Sequence, residues 1–271
     1  IKDSTGNNTG TIELKSDSAT LEDGSTLNLA NGSTLVGHLK NSGNLGSWTN
    51  YSNIQGHFIN TGTIDELDAG NIQEYLENTG VIHILKQGKI AGTLSNTGTI
   101  GELNTSVINY IANGNANTAT IAGEGHYGIL NIDKNTIMDN NNTITNALNV
   151  DKNNSGNGYT LTINNGGSGG NGTIYINFDT DAQVGTINNL GTILGNIDNQ
   201  TSSIIKTFNT GSISGSIINN ANATIETLNV TGNVTNGITN NSNIGSLIVN
   251  ENVSYSGSGS ISNALEVAEG D

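Results

Sequence analysis

The pentapeptide Asn-Thr-Gly-Thr-Ile at 60–64 returns as Asn-Thr-Gly-Val-Ile at 78–82 and as Asn-Thr-Gly-Thr-Ile at 96–100, each copy eighteen residues after the last. Few folds tolerate a fixed period of this length, because the same chemistry must suit the same place every time. Ile54, Ile72, Ile90 and Ile108 keep the spacing, as do Ile64, Ile82 and Ile100, and Leu67, Leu85 and Leu103. Within a unit the apolar residues alternate, as in Ile54-x-Gly56-x-Phe58, which is strand periodicity. Asn and Gly break every run before a helix could form. Short strands on such a period predict a parallel β-solenoid of about 18–21 residues per coil, one coil stacked on the next about 4.8 Å away.

On that grid the columns acquire roles. Ile and Leu point inward and form a narrow apolar stack. Asn60, Asn78 and Asn96 form a side-chain amide ladder, each amide donating to the next. Gly62, Gly80 and Gly98 are expected in a turn conformation closed to residues with a Cβ. A second array follows residue 185 in a looser register: "ILGNIDN" (193–199), "ISGSIIN" (213–219) and "VTNGITN" (234–240) step by twenty and twenty-one. The expectation is one elongated domain over 1–271, with regular coils over about 34–111 and 185–267 and an irregular or loop-bearing region over about 112–184 that still carries strand-like pieces at 127–133, 144–150, 159–163 and 173–178.

Composition fits a thin interior. Only 33% of the 271 residues are hydrophobic, against 37 glycines. Such a fraction is low for a layered globule but enough for a one-dimensional stack. The net charge is −15, from 23 acidic residues and 8 basic ones, every one of them Lys. Nucleic acid is therefore not expected as a partner, because few cations stand against many acids and a phosphate backbone would be repelled. There is no Cys, hence no disulfide and no thiolate metal site, and no Pro to interrupt backbone pairing. No apolar run reaches the length of a membrane span, and no signal peptide heads the chain, so no membrane insertion by this fragment is expected. The chain opens on Ile rather than Met, as a processed or excised piece would.

The "NTGTI" turns and the paired "IxGxI…N" and "IxxLxV" strands resemble the passenger region of autotransporters, the type V secreted surface proteins. The resemblance covers nearly the whole chain apart from its middle, and extends to filamentous-haemagglutinin-type adhesins and to passengers related to vacuolating cytotoxin. It implies a right-handed parallel β-helix, exported through the outer membrane to a bacterial cell surface or secreted. It implies no single activity, since such passengers include adhesins, aggregation factors, proteases, esterases and toxins.

Catalysis finds little support. The Gly-Asp-Ser-Gly of protease passengers and the Gly-Asp-Ser-Leu of esterases are both absent. A polysaccharide-acting site would need paired carboxylates. Asp179 and Asp181, or Asp65, Glu66 and Asp68, supply candidates, yet without Arg a uronate is poorly neutralised. "GGSGGNGTI" (166–174) resembles a single calcium-binding nonapeptide, where a calcium roll needs consecutive copies; a loop is the simpler reading. His38 and His57 share a column. Stacked imidazoles can bind a metal, but such a pair is more often plain surface, so no metal, cofactor or catalytic residue is assigned. Recognition residues are sought among the scarce aromatics and the broken middle: Trp48, Tyr51, His126 and Tyr127. The expected function is that of a non-catalytic adhesin, attaching to a host-cell surface glycan or protein, or to sister cells by self-association. The alternatives are a vacuolating-cytotoxin-like toxin, a structural stalk and, less favoured, a β-helical enzyme.

Overall fold

The computed structural model describes residues 11–21, 34–49, 53–108, 118–151, 159–165, 168–169, 172–176 and 186–268. It is a β-solenoid of stacked parallel coils. By contacts the chain divides into two compact units, Ile1–His126 and Tyr127–Asp271.

In the first unit each coil holds short strands joined by sharp corners. Phe58–Asn60 leads into Thr63–Ile72, Leu76–Asn78 into Val81–Ile90, and Leu94–Asn96 into Thr99–Asn104. The pairing is parallel and in the register of the repeat: Phe58, Leu76 and Leu94 stack, as do Asn60, Asn78 and Asn96, and Ile64, Ile82 and Ile100. Every one of these side chains is fully buried. The period is what permits so small a core. Each inward side chain packs on its counterparts above and below, so a single column excludes water.

The asparagine column lies inside that core. Asn41 Nδ2 donates to Asn60 Oδ1 (2.8 Å), Asn60 Nδ2 to Asn78 Oδ1 (2.7 Å), and Asn78 Nδ2 to Asn96 Oδ1 (2.7 Å). The second amide hydrogen reaches the next coil just past its corner, from Asn60 to the Val81 carbonyl (3.1 Å) and from Asn78 to that of Thr99 (3.2 Å). Burying a primary amide is tolerable only when its hydrogen-bonding groups are met, and the stack meets them by repetition. The ladder includes Asn41, one coil earlier than the eighteen-residue repeat had indicated. Asn96 ends it. The strand that pairs with Leu94 and Ser95, Thr118–Ala122, is followed by Gly123, which has no side chain to accept from Asn96.

Gly62, Gly80 and Gly98 owe their place to close approach rather than to backbone sign. None of the three adopts a left-handed φ. A Cβ on Gly62 would strike the Gly43 carbonyl, one on Gly80 the Gly62 carbonyl, and one on Gly98 the Gly80 carbonyl. The corners touch because they are tight, and they bond directly from coil to coil: Thr63 N–H to Gly43 O (3.0 Å), Val81 to Gly62 (2.8 Å), Thr99 to Gly80 (2.9 Å).

The second unit uses the same architecture with other corners. Ile187, Phe208, Leu228, Leu247 and Leu265 follow one another in register, as do Ile205, Ile225, Ile244 and Ile261. A second ladder runs from Asn199 to Asn219 and from Asn219 to Asn240, both at 2.8 Å, and ends where Asn240 Nδ2 donates to the Tyr255 hydroxyl (2.8 Å). Each of the three heptapeptides of the looser array closes on one of these asparagines. After Asn199 and Asn219 the corner is two residues longer than in "NTGTI" and closes its own turn, by Ser203 N–H to Gln200 O (3.0 Å) and Ala223 N–H to Asn220 O (3.1 Å). Ser202 (φ 68°) and Asn222 (φ 63°) take the left-handed positions there.

The stretch expected to be irregular also contributes coil. His126–Ile132, Asn135–Asp139 and Thr143–Val150 are strands with alternating burial. In the glycine-rich stretch, Ser168–Gly169 folds back antiparallel on Asn164 and Asn165. No helix among the described residues is long and apolar enough to cross a membrane, which says nothing of membrane-spanning strands.

Candidate functional site

Three surface features combine side chains from successive coils. The first is a row of hydroxyls one residue after the asparagine ladder. Ser42, Thr61, Thr79 and Thr97 follow Asn41, Asn60, Asn78 and Asn96, and all four are exposed. Burial of the ladder fixes the pleat, so the next residue must face out. The Thr61 hydroxyl donates back to the Asn41 carbonyl (3.0 Å), and Thr79 to that of Asn60 (3.4 Å). Each of these two hydroxyls is thereby oriented, its donor engaged and its oxygen left to accept.

The second feature is an aromatic stack in the first unit. Leu39, Phe58 and Leu76 are buried in register, so His38, His57 and Tyr75 beside them fall in one outward column. The His38 and His57 rings stack with centroids 3.6 Å apart and planes at 18°; those of His57 and Tyr75 are 4.4 Å apart at 15°. The His57 backbone N–H donates to Nδ1 of His38 (3.1 Å), which fixes that nitrogen as the unprotonated one. A Cβ at Gly56 would strike both the Gly37 carbonyl and this imidazole nitrogen. Glu74 of the next coil reaches the same pair of imidazoles. Its Oε2 lies 3.4 Å from His57 Nδ1 and 4.0 Å from His38 Nδ1. Burial first, then the charges of Glu77 and Glu74, raise the Tyr75 phenol above its ordinary pKa. A groove of about 490 Å³ lined by Gln73, Glu74, Tyr75, Ala91, Gly92 and Thr93 adjoins the cluster.

The third feature belongs to the second unit. Tyr175 pairs with Thr143 on one side and Asp198 on the other, and a cleft of about 330 Å³ is lined by Thr143, Tyr175, Gln200 and Thr201. Asp198 Oδ1 accepts from Gln200 Nε2 (2.9 Å) and from Asn220 Nδ2. Desolvation nevertheless raises the Asp198 carboxyl above its usual range, outweighing the two hydrogen bonds that lower it.

The expected recognition residues scatter. His126 is exposed at the start of its strand. Tyr127 is fully buried, which corrects its reading as a surface group: the alternation that exposes His126 turns the next side chain inward. Trp48 stands in the strand Asn44–Thr49 opposite Leu67, as its column requires. Tyr51 lies outside the described residues, as do Asp179 and Asp181. Asp65 and Glu66 are exposed, and Asp65 meets His83 of the next coil at 3.1 Å. No side-chain pattern announced Glu74 or Asp198. Glu74 stands where the coil before it has Gly56, so the cluster appears only when the coils are stacked.

Comparison with known families, curated proteins and solved structures finds no match for this chain.

Proposed function

We propose that this chain is a non-catalytic adhesin, an autotransporter-like passenger carried on a bacterial surface, that binds through outward polar columns. The observation supporting this reading is the hydroxyl row Ser42, Thr61, Thr79 and Thr97. One weak hydrogen-bond site counts for little, but the same site repeated at coil spacing gives many contacts along one partner. The natural match is a polymer with its own repeat, such as a surface glycan, or the same face of a second chain. The cleft beside Tyr175 favours the glycan, since it combines an aromatic ring with amide and hydroxyl groups. The net charge of −15 opposes close self-association at low salt, so clumping should strengthen with salt or divalent cations.

The experiment is a paired binding assay. Beads coated with the chain are mixed with epithelial cells and, separately, with one another. Attachment to cells that survives excess unrelated acidic protein, and that weakens in a Thr61→Val/Thr79→Val/Thr97→Val variant, supports the reading. Clumping of beads alone assigns the columns to self-association. Neither attachment nor clumping contradicts adhesion and leaves the chain a stalk.

A further inference from the structure

We infer that His57, Glu74 and His38 form a binding site for a borderline divalent transition ion of the zinc class, on a surface to which adhesion assigns no role. Among the described residues these three are the one group of His, Cys, Asp and Glu that brings three ligand atoms close enough to hold a single ion. The donors are two imidazole nitrogens and one carboxylate oxygen, all within 4.8 Å of one another. That set suits zinc, cobalt, nickel or copper and disfavours calcium, which takes six or more oxygens.

The distances are close to those a bound ion needs. Ligand bonds of about 2.0–2.1 Å in a tetrahedral site place donor atoms about 3.3 Å apart. His57 Nδ1 and Glu74 Oε2 stand at 3.4 Å, and His38 Nδ1 and Glu74 Oε2 at 4.0 Å. The His57–Glu74 pair is therefore already at ligand separation. His38 Nδ1 must close on Glu74 by about 0.7 Å, and its ring must tilt, because stacked rings direct their lone pairs in parallel rather than at one point. Its side chain is 32% exposed, and the turn gives up the hydrogen bond it accepts from the His57 N–H. In the metal-free cluster His57 and Glu74 are already in contact, and the ion takes its place between them.

The site is open on one side. Glu74 is 49% exposed and borders the groove toward Gly92 and Thr93. Three protein ligands and a free position describe a centre that accepts water or a group from a partner, not a closed structural site. His83 and Asp65, at 3.1 Å, supply only two ligands and serve as the internal comparison.

The test uses the untagged full chain. Zn²⁺ is titrated calorimetrically, and Co²⁺ is followed by its visible d–d absorption, whose intensity reports low coordination number. The expected result is one equivalent of Zn²⁺ per chain and an intense Co²⁺ spectrum. His57→Ala and Glu74→Gln each weaken binding at least tenfold and abolish that spectrum, His38→Ala weakens it less, and His83→Ala leaves both unchanged. Circular dichroism checks that each variant keeps its β signal. Absence of Zn²⁺ binding to the unsubstituted chain overturns the inference whatever the variants do. So does unchanged binding by Glu74→Gln, the variant that alters shape least.

Discussion

The two ladders are alike in what they keep and different in what they allow to vary. In the first unit the asparagines recur every eighteen or nineteen residues and each corner is "NTG" or "NSG". In the second they recur after twenty and twenty-one, yet the amide-to-amide distances are the same, 2.7–2.8 Å in one and 2.8 Å in the other. Two of the extra residues in each coil are absorbed at the corner, and the one further residue of the twenty-one-residue coil falls between Val230 and Val234. A tight corner brings backbone against backbone and demands Gly for space. A wide corner closes its own turn and demands a residue able to adopt positive φ, which Ser202 and Asn222 supply. Most of the difference in coil length thus lies in the corners, while the ladder fixes where each coil sits on the last.

The largest effect should come from placing the wrong residue in a tight corner. Gly80→Ala forces its methyl into the Gly62 carbonyl, an atom of the backbone that cannot swing away. Denaturant unfolding should show a loss of about 3 kcal/mol. In the wide corner the residue two after the ladder is already Ala221, and Ala221→Gly should cost under about 0.5 kcal/mol, the usual range for an exposed site. Equal losses at both positions would erase the distinction between corners.

Next in size is a break in either ladder. Asn78→Ala removes the acceptor of Asn60 and the donor to Asn96, and Asn219→Ala does the same between Asn199 and Asn240. Each should cost about 2 kcal/mol, since two buried amide groups lose partners. A smaller loss, about 1 kcal/mol, is expected for Asn222→Ala, which puts an alanine at φ 63°. Thermal melts of the three variants rank them directly.

These predictions also mark what the sequence could and could not reveal. Asn60, Asn78 and Asn96 were legible because constant spacing puts identical letters in register. Asn199, Asn219 and Asn240 close three heptapeptides that could be aligned, but the varying interval gave no sign that they form a second ladder. Gly62 was legible as indispensable and misread as to cause: sequence shows that Gly is required, and only stacked coils show which atom excludes a Cβ. Tyr127 was misassigned because a strand that starts beside an irregular stretch gives no sign of which residue faces in. The site at His57 was half visible, as a histidine pair, because Glu74 occupies a column that its neighbours fill with Gly.

The smallest effect concerns Asp198. Its carboxyl is raised in the folded state by desolvation. A raised folded value means that the proton is held more tightly by the folded chain than by the unfolded one. This contribution to stability is complete below the ordinary carboxylate pKa and is lost as pH rises through the folded value. At pH 7 the charged, half-buried group therefore works against folding. Asp198→Asn should raise the melting temperature slightly at pH 7, and the gain should shrink as the pH is lowered past the carboxylate range. A variant that melts lower at pH 7 would show that the Gln200 and Asn220 hydrogen bonds outweigh the desolvation.

The most direct measurement is hydrogen exchange of asparagine side-chain amides, followed by NMR on a chain with ¹⁵N-labelled Asn. Asn41, Asn60 and Asn78 in one ladder, and Asn199, Asn219 and Asn240 in the other, are expected to hold their carboxamide protons far longer than the exposed Asn263, and to a similar degree in both units despite the different coil lengths. Exchange of the ladder amides as fast as that of Asn263 would contradict the stacked-coil account. Protection in the first unit alone would show that the ladder needs the eighteen-residue period after all.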